Sequence, residues 1–283
     1  MILNRQIETR DHLIELDRNL LESARNRFRA AEVSELDVNV AQLDLQRVTQ
    51  ERALLVNEKL NQLGQLNQLL GRAAAQPLAL DETLPSMESL PSLADQQRRA
   101  LDHRPDLRAA VLTVRRARAD HKLARAERFE DWTVGLGVER SRSAIEGAPP
   151  QPSNNALALS LSIPLPLLNN NEGRVAETIA TGAQAEAQIV ALRRSISNEV
   201  ANFVAEIARL QQVIVEYQRT MLPVSEGNVR LAQQGYGRGQ IPISDVVQAG
   251  RQQGDINIAY LAALDLYLQA WAKLRTATAD YLK

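Results

Sequence analysis

Apolar positions along this chain keep two different rhythms, and the switch between them marks out its parts. From residue 2 to about 30, Ile7, Leu13, Leu16, Leu20 and Ala24 recur at helical spacing and predict one amphipathic helix. The stretch "AAEVSELD" breaks that pattern, and Ser34 suits an N-cap, where a side-chain oxygen accepts from orphan backbone N–H groups. A second helix is expected from Glu35 to Leu70, carrying Leu43, Leu54, Leu60, Leu63, Leu66 and Leu69, with Gly71 as its stop. Pro77, Pro85 and Pro91 punctuate a linker over residues 72–94. Helix resumes over 95–130 with one interruption at "HRPDL". Pro105 disfavours helix at Arg104 and suits the first turn of a new one.

At "DWTVGLGVERS" the period becomes two. Val134, Leu136 and Val138 share one face, while Thr133, Gly135, Gly137 and Glu139 share the other. A polar, proline-rich loop follows from Ser143 to Asn155. Alternation then returns, with Leu157, Leu159, Leu161, Ile163 and Leu165 on one face. The two runs predict a β-hairpin, each strand about the 9–11 residues that span a bilayer. One face is apolar and the other small or polar, as in a barrel wall with lipid outside and water inside. Trp132 stands where an interfacial aromatic would sit. A soluble hairpin laid on a helix is the competing reading. Two strands cannot close a barrel, so a membrane hairpin needs strands from elsewhere.

From Glu172 to Gly235 the helical period returns through Ile189, Leu192, Ile196, Val200, Phe203, Ile207, Leu210, Ile214, Tyr217 and Met221. Pro223 is expected to kink this helix without ending it. At about 1.5 Å per residue it would run on the order of 90 Å, which predicts an elongated molecule. The break "GYGRGQIPIS" leads to a last helix from Ser244 to about Tyr281.

The two breaks repeat one another. "FRAAEVSELDVNVAQ" and "YGRGQIPISDVVQAG" align without gaps, so Phe28 meets Tyr236, Val33 meets Ile241, Asp37 meets Asp245, Val38 meets Val246 and Ala41 meets Ala249. Two related helical hairpins follow from this, with the β-hairpin ahead of the second. By symmetry another β-hairpin should precede the first. The chain also enters its first helix without a capping residue or a leader, so Met1 is expected to lie inside a longer protein.

Composition narrows the class. The chain has 283 residues, 45% apolar but only 4% aromatic, and a formal net charge of −1. Few aromatics and abundant Ala, Leu, Gln, Arg and Glu suit long packed helices. No basic block marks a nucleic-acid surface. Cysteine is absent, which excludes disulfides and thiolate metal sites. No apolar run is long enough for a transmembrane helix.

The pieces "RPDLRAA" at Arg104–Ala110, "LSLSIPLPLLNNNEGRVAE", and "LAQQGYGRGQIPISDVVQA" with its weaker copy "ARNRFRAAEVSELDVNVA" together resemble the TolC-like outer-membrane efflux family over essentially the whole chain. "PLPLLNNNEG" is more similar to the heavy-metal branch than to the multidrug branch. The resemblance implies a mainly α fold of long antiparallel helical hairpins, of the coiled-coil α-barrel type, with a β-hairpin given to a barrel shared by a homotrimer. It implies a periplasmic tunnel closed at its tip, a periplasmic adaptor (a membrane fusion protein) and, through the adaptor, an inner-membrane pump. The expected parts are a first helical hairpin over 1–71, incomplete at its start, the linker over 72–94, and a helix over 95–131. A barrel hairpin over 132–166 and a second helical hairpin over 167–283, with its tip near 236–245, complete the chain. Val134, Leu136, Val138, Leu157, Leu159, Leu161, Ile163 and Leu165 would face outer-membrane lipid.

Carried over residue by residue, the resemblance gives Asp245 a place in a ring of carboxylates at the pore constriction. The second acidic position of such a ring is Gln248 here. Asp37 and Tyr236 match a latch that holds the tip closed through a hydroxyl-to-carboxylate bond. The basic partner of that latch is Ile241 here, with Arg238 as its stand-in. Gly237 and Gly239 permit a sharp second turn, while Arg29 and Ala31 deny the first turn that freedom. Val33, Leu36, Gly239, Ile241, Ile243 and Val246 are candidate adaptor contacts, with packing inside the hairpin as the alternative.

His103 and His121 have no companion at ligand spacing, so no metal site is expected, and no cofactor. "GYGRG" lacks the buried strand that precedes a phosphate loop, and no nucleophile elbow occurs, so no enzymatic activity is expected. The competing functions are a soluble coiled-coil scaffold and a periplasmic adaptor, although an adaptor should carry further β domains around its helical hairpin.

Overall fold

A computed structural model describes residues 1–80, 87–128, 131–141, 147, 152–164 and 170–280. The helices are α1 (Ile2–Arg29), α2 (Glu35–Leu69), α3 (Leu93–His103), α4 (Pro105–Ala126), α5 (Glu172–Glu216), α6 (Leu222–Gly237) and α7 (Ile243–Ala277). Strands β1 (Thr133–Ser141) and β2 (Asn154–Ser162) separate α4 from α5. The chain divides into one unit of residues 1–98 and 199–283 and another of residues 99–198.

In the first unit, α1, α2, α6 and α7 pack side by side. The buried stripe of α1 is Arg10, Leu13, Ile14, Asp17, Leu21 and Ala24. It lies beside the expected stripe, with Ile7, Leu16 and Leu20 only half-buried. On α2 the buried side is narrow, comprising Ala41, Asp44, Val48 and Asn67. Leu43, Leu54, Leu60 and Leu69 stay exposed. The helical period was legible, but a single chain buries only a thin part of what the period lines up. Helix α7 comes so near α1 that a Cβ on Gly254 would lie 2.9 Å from Leu13 Cδ1. Only glycine fits that approach without a shift.

Pro223 leaves the chain helical, as expected. The ladder widens just ahead of it into a π turn over Tyr217–Met221, with the Leu222 N–H donating to the Tyr217 carbonyl. The extra residue in the turn absorbs the mismatch that a proline ring imposes on an α ladder. The Gln218 amide donates to the Tyr260 hydroxyl at 3.0 Å, which ties this turn to α7.

In the second unit, Pro105 opens α4 as its first residue, after Arg104 in an extended conformation. The Arg104 guanidinium grips Asp106 at 2.7 Å and 3.1 Å. That contact holds the Asp106 carboxyl below its ordinary range, with a smaller contribution from the Leu107 N–H. The "RPD" element is therefore a pinned helix start. Helices α4 and α5 are joined by Arg118–Glu186 at 2.8 Å and by the Asn171 amide, which donates to the Ala124 carbonyl at 2.9 Å.

The strands pair antiparallel in the register Val134↔Leu161, Leu136↔Leu159 and Val138↔Leu157, with Gly135↔Ser160 and Gly137↔Ala158 between. Among the described residues this is the only sheet. The second strand ends at Ser162, so Ile163 lies just beyond it, exposed. Leu165 and much of the expected 143–155 loop fall outside the described residues.

Both helix tips close with the same backbone. Ala31 N–H donates to Phe28 O at 2.9 Å and Glu32 N–H to Arg27 O at 2.9 Å. At the second tip, Gly239 N–H donates to Tyr236 O at 2.9 Å and Gln240 N–H to Gly235 O at 2.8 Å. These are paired Schellman closures, which need a left-handed residue at the same place. Gly239 takes φ 72° there, and Ala31 takes φ 55°. The first tip thus makes the turn that alanine was expected to deny it, under strain. Gly237, the last residue of α6, has no need of glycine's freedom, since a Cβ there meets nothing and its φ is not left-handed. Ala31→Gly is expected to stabilise the protein by about 1 kcal/mol, and Gly239→Ala to destabilise it by about as much. Equilibrium denaturation of the two variants checks this. Equal and opposite shifts are the expected outcome, and a loss of stability in Ala31→Gly would contradict it.

Candidate functional site

The two tips meet over a small apolar core of Leu21, Ala24, Ala41, Tyr236, Ile243 and Val246, edged by Val38 and Ile241. This core draws in two of the candidate adaptor contacts. Ile243 and Val246 are buried, so in this chain they serve packing and present no surface to a partner. Leu36 and Gly239 are exposed, and Val33 and Ile241 are half-buried at the rim.

The two aspartates related by the repeat have different surroundings. Asp37 closes a capping box. Its carboxylate accepts from the Ser34 N–H at 2.9 Å and the Ser34 hydroxyl at 2.8 Å, while the Asp37 N–H donates back to Ser34 Oγ. At the second tip Pro242 occupies the N-cap and offers neither an N–H nor a hydroxyl. The Asp245 carboxylate therefore has no capping box to close. Among the described residues it meets a long contact from the Ser244 hydroxyl, at 3.4 Å, and stands exposed in the first turn of α7. A helix N-terminus favours its charge. Gln248, on the next turn, is exposed as well.

Tyr236 is only 4% exposed, and among the described residues its hydroxyl meets no hydrogen-bond partner. Burial, followed by the nearby Asp37 charge, raises this phenol above its ordinary range against the pull of Arg27. The expected hydroxyl bond to Asp37 is not formed within the chain. Arg27, which the sequence reading passed over, holds Tyr236 instead. Its guanidinium donates to the Tyr236 carbonyl at 2.5 Å, lies 4.7 Å from the ring centroid, and pairs with Glu32 at 3.0 Å. Arg238 is exposed at the rim.

Just inside the tip core lies a second group the sequence reading missed. Asp44, 3% exposed on α2, accepts from Arg251 of α7 at 2.8 Å and from Arg47 at 3.0 Å. Glu51 receives Arg47 at 2.6 Å and Arg10 of α1 at 3.0 Å. Asp17 of α1 is buried against the same group. Burial, and then the Asp44 charge, raise its carboxyl to about 7, against the opposing pull of Arg47 and Arg251. The available signal was a charge on an apolar stripe. Asp17 keeps step with Leu13, Leu21 and Ala24, and Asp44 with Ala41 and Val48.

On the hairpin, Val134, Leu136, Val138, Leu157, Leu159 and Leu161 share one face and are 60–79% exposed. Trp132 at the start of β1 is also exposed. Among the described residues no helix is long and apolar enough to cross a membrane, and no group of His, Asp and Glu gathers as for a metal ion.

Comparison with known proteins agrees with this architecture. The chain is 23% identical over 249 residues to the cobalt-zinc-cadmium resistance protein CzcC of Cupriavidus metallidurans, which covers 88% of the chain and 57% of CzcC. The crystal structure of CusC superposes with a TM-score of 0.81 at 18% identity, over 98% of this chain and 65% of CusC. The outer membrane protein VceC of Vibrio cholerae superposes with a TM-score of 0.76 at 20% identity, over 98% of this chain and 66% of VceC. The chain thus spans less than two thirds of each of these proteins. The expected fold, long helices with one β-hairpin, is the fold of those channels. The outer membrane efflux protein family model matches residues 97–280, from within α3 through the hairpin to just past the end of α7, and the chain belongs to that family.

Proposed function

We propose that this chain is part of the outer-membrane channel subunit of a tripartite efflux system, conducting small solutes from the periplasm of a Gram-negative bacterium to the exterior without transforming them. One observation carries the reading: a hairpin whose six apolar side chains on one face are all exposed in the isolated chain. Water penalises such a face, and lipid around a barrel welcomes it. Closure of that barrel calls for strands from other copies and from the rest of the polypeptide, since open edges are not tolerated in a bilayer. In a homotrimer, the exposed leucines Leu43, Leu54, Leu60 and Leu69 of α2 and Leu112 and Leu123 of α4 supply apolar surface for helix packing between copies. The tip surface at Val33, Leu36, Gly239 and Ile241 is left for a periplasmic adaptor, and through it for an inner-membrane pump. CzcC is by name a cobalt-zinc-cadmium resistance protein, which favours divalent metal ions as the cargo. No cofactor is needed, because the channel only conducts.

Three Asp245 carboxylates brought together at the constriction would favour cations, with Gln248 leaving the ring at one charge per copy. The full-length protein in planar bilayers is expected to conduct, and Asp245→Asn to lower its preference for cations over anions. Conductance with unchanged selectivity in the variant would remove that role from Asp245. A full-length protein that stays soluble without detergent and never conducts would favour the scaffold reading.

A further inference from the structure

We infer that Arg27 is the clasp that holds the two helix tips of one chain together, and that its release opens the passage at the tip. The gating half of this proposal rests on the channel reading above, whereas the clasp itself does not.

Arg27 sits at the end of α1 and reaches across to the end of α6. It makes three kinds of contact at once. One guanidinium N–H meets the Tyr236 carbonyl at 2.5 Å, the guanidinium carbon lies over the Tyr236 ring, and Nε meets Glu32 at 3.0 Å. Glu32 belongs to the turn that follows α1, so it fixes the arginine from its own side of the junction. The carbonyl Arg27 bonds also accepts from Gly239 N–H in the second turn. A single side chain therefore fastens the first tip to the backbone that shapes the second. Its planar fork supplies the geometry, which a lysine cannot reproduce.

The alternative is a latch through the Tyr236 hydroxyl. That hydroxyl is buried without a partner among the described residues, and Asp37 spends its carboxylate on Ser34. The two readings predict opposite results. Tyr236→Phe keeps both the ring and the carbonyl that Arg27 uses, so the clasp survives it. Arg27→Gln removes the guanidinium and leaves the hydroxyl in place.

The test uses the full-length protein, with Glu35→Cys and Gln240→Cys as spin-label sites on the exposed rims of the two tips. This chain has no cysteine of its own. Labelled subunits are diluted into unlabelled ones, so that distances within one chain are read. Arg27→Gln is expected to lengthen and broaden the label-to-label distance and to raise single-channel conductance several-fold. Arg27→Lys should give a smaller change of the same sign, and Tyr236→Phe should match the parent in both measurements. A distance unchanged in Arg27→Gln overturns the clasp. Opening by Tyr236→Phe alone assigns the closure to the hydroxyl. A lengthened distance with unchanged conductance overturns the gating half. A protein that never conducts in any form, but whose tips separate in Arg27→Gln, overturns the channel reading and leaves the clasp standing.

Discussion

Replacing Asp17 by asparagine is expected to stabilise the protein at about pH 8 and to change little at about pH 4. The reason lies in the packing of α1, α2 and α7. Asp17 is buried, and the charged groups facing it are Asp44 and Arg47 from α2 and Arg251 from α7. Both arginines already bond Asp44, at 3.0 Å and 2.8 Å. Asp17 is thus a second carboxylate at a site whose cations are engaged. Burial, followed by repulsion from Asp44, brings its carboxyl from 3.8 to about 7.

The sign follows from proton counts. Between the unfolded value near 4 and the folded value near 7, the folded chain keeps a proton that the unfolded chain has lost. Stability therefore falls as pH rises through that window and levels off above it. An asparagine carries no such penalty, so the difference between variant and parent should open across the same window. At about 1.4 kcal/mol per unit of displacement the upper bound is about 4 kcal/mol, and relaxation around the site brings the expected gain to about 2–4 kcal/mol. Denaturation followed at several pH values measures it. A variant less stable than the parent at about pH 8 would mean that Arg47 and Arg251 serve Asp17 as well as Asp44, and the repulsion argument would fail. The site also links two events. Any motion that draws Arg251 of α7 away from Asp44 leaves two carboxylates with less compensation and favours proton uptake at Asp17.

Much of this fold was legible because periodicity is a property of the chain alone. The helix start at Glu35 and the helix ends at Leu69 and His103 fall within a residue or two of where Ser34, Gly71 and Pro105 put them. The faces of the strands were equally plain, since a period of two assigns every side chain to one side or the other. What stayed hidden depended on partners. Leucines on α2 announced a helix, but the period could not say that Leu43 and Leu54 would lie open while Asp44 went inside. The Schellman turn at Ala31 was missed for a related reason. Glycine advertises a left-handed turn at Gly239, whereas alanine takes the same turn only because the two flanking helices impose it. At the tip, the resemblance matched Tyr236 and Asp37 to a latch by position alone. It could not find Arg27, whose role comes from reaching a backbone carbonyl on another helix.

The sharpest separation of faces should come from the hairpin. Leu159 lies near the middle of β2 and pairs with Leu136, both side chains standing out from the exposed apolar face. Ser160, the next residue, pairs with Gly135 on the opposite face. Leu159→Arg is expected to cost about 2–4 kcal/mol per copy where that face meets the bilayer midplane, a penalty repeated in every subunit of the assembly. The full-length variant should be largely lost from the outer-membrane fraction. Ser160→Arg puts the same side chain one position along. There it points to the small, polar face, opposite a glycine that leaves room for it, and water can solvate its charge. That variant should assemble at parental levels and shift conductance toward anions. The pair shares composition, charge and strand, so only the face differs. Equal assembly of both variants would mean that the apolar row does not meet lipid. Equal loss of both would mean that this hairpin tolerates no large charge on either side, and the barrel-wall assignment would lose its support. Loss of Leu159→Arg alone places lipid on one side of the sheet and water on the other, the arrangement that makes an efflux channel of these strands.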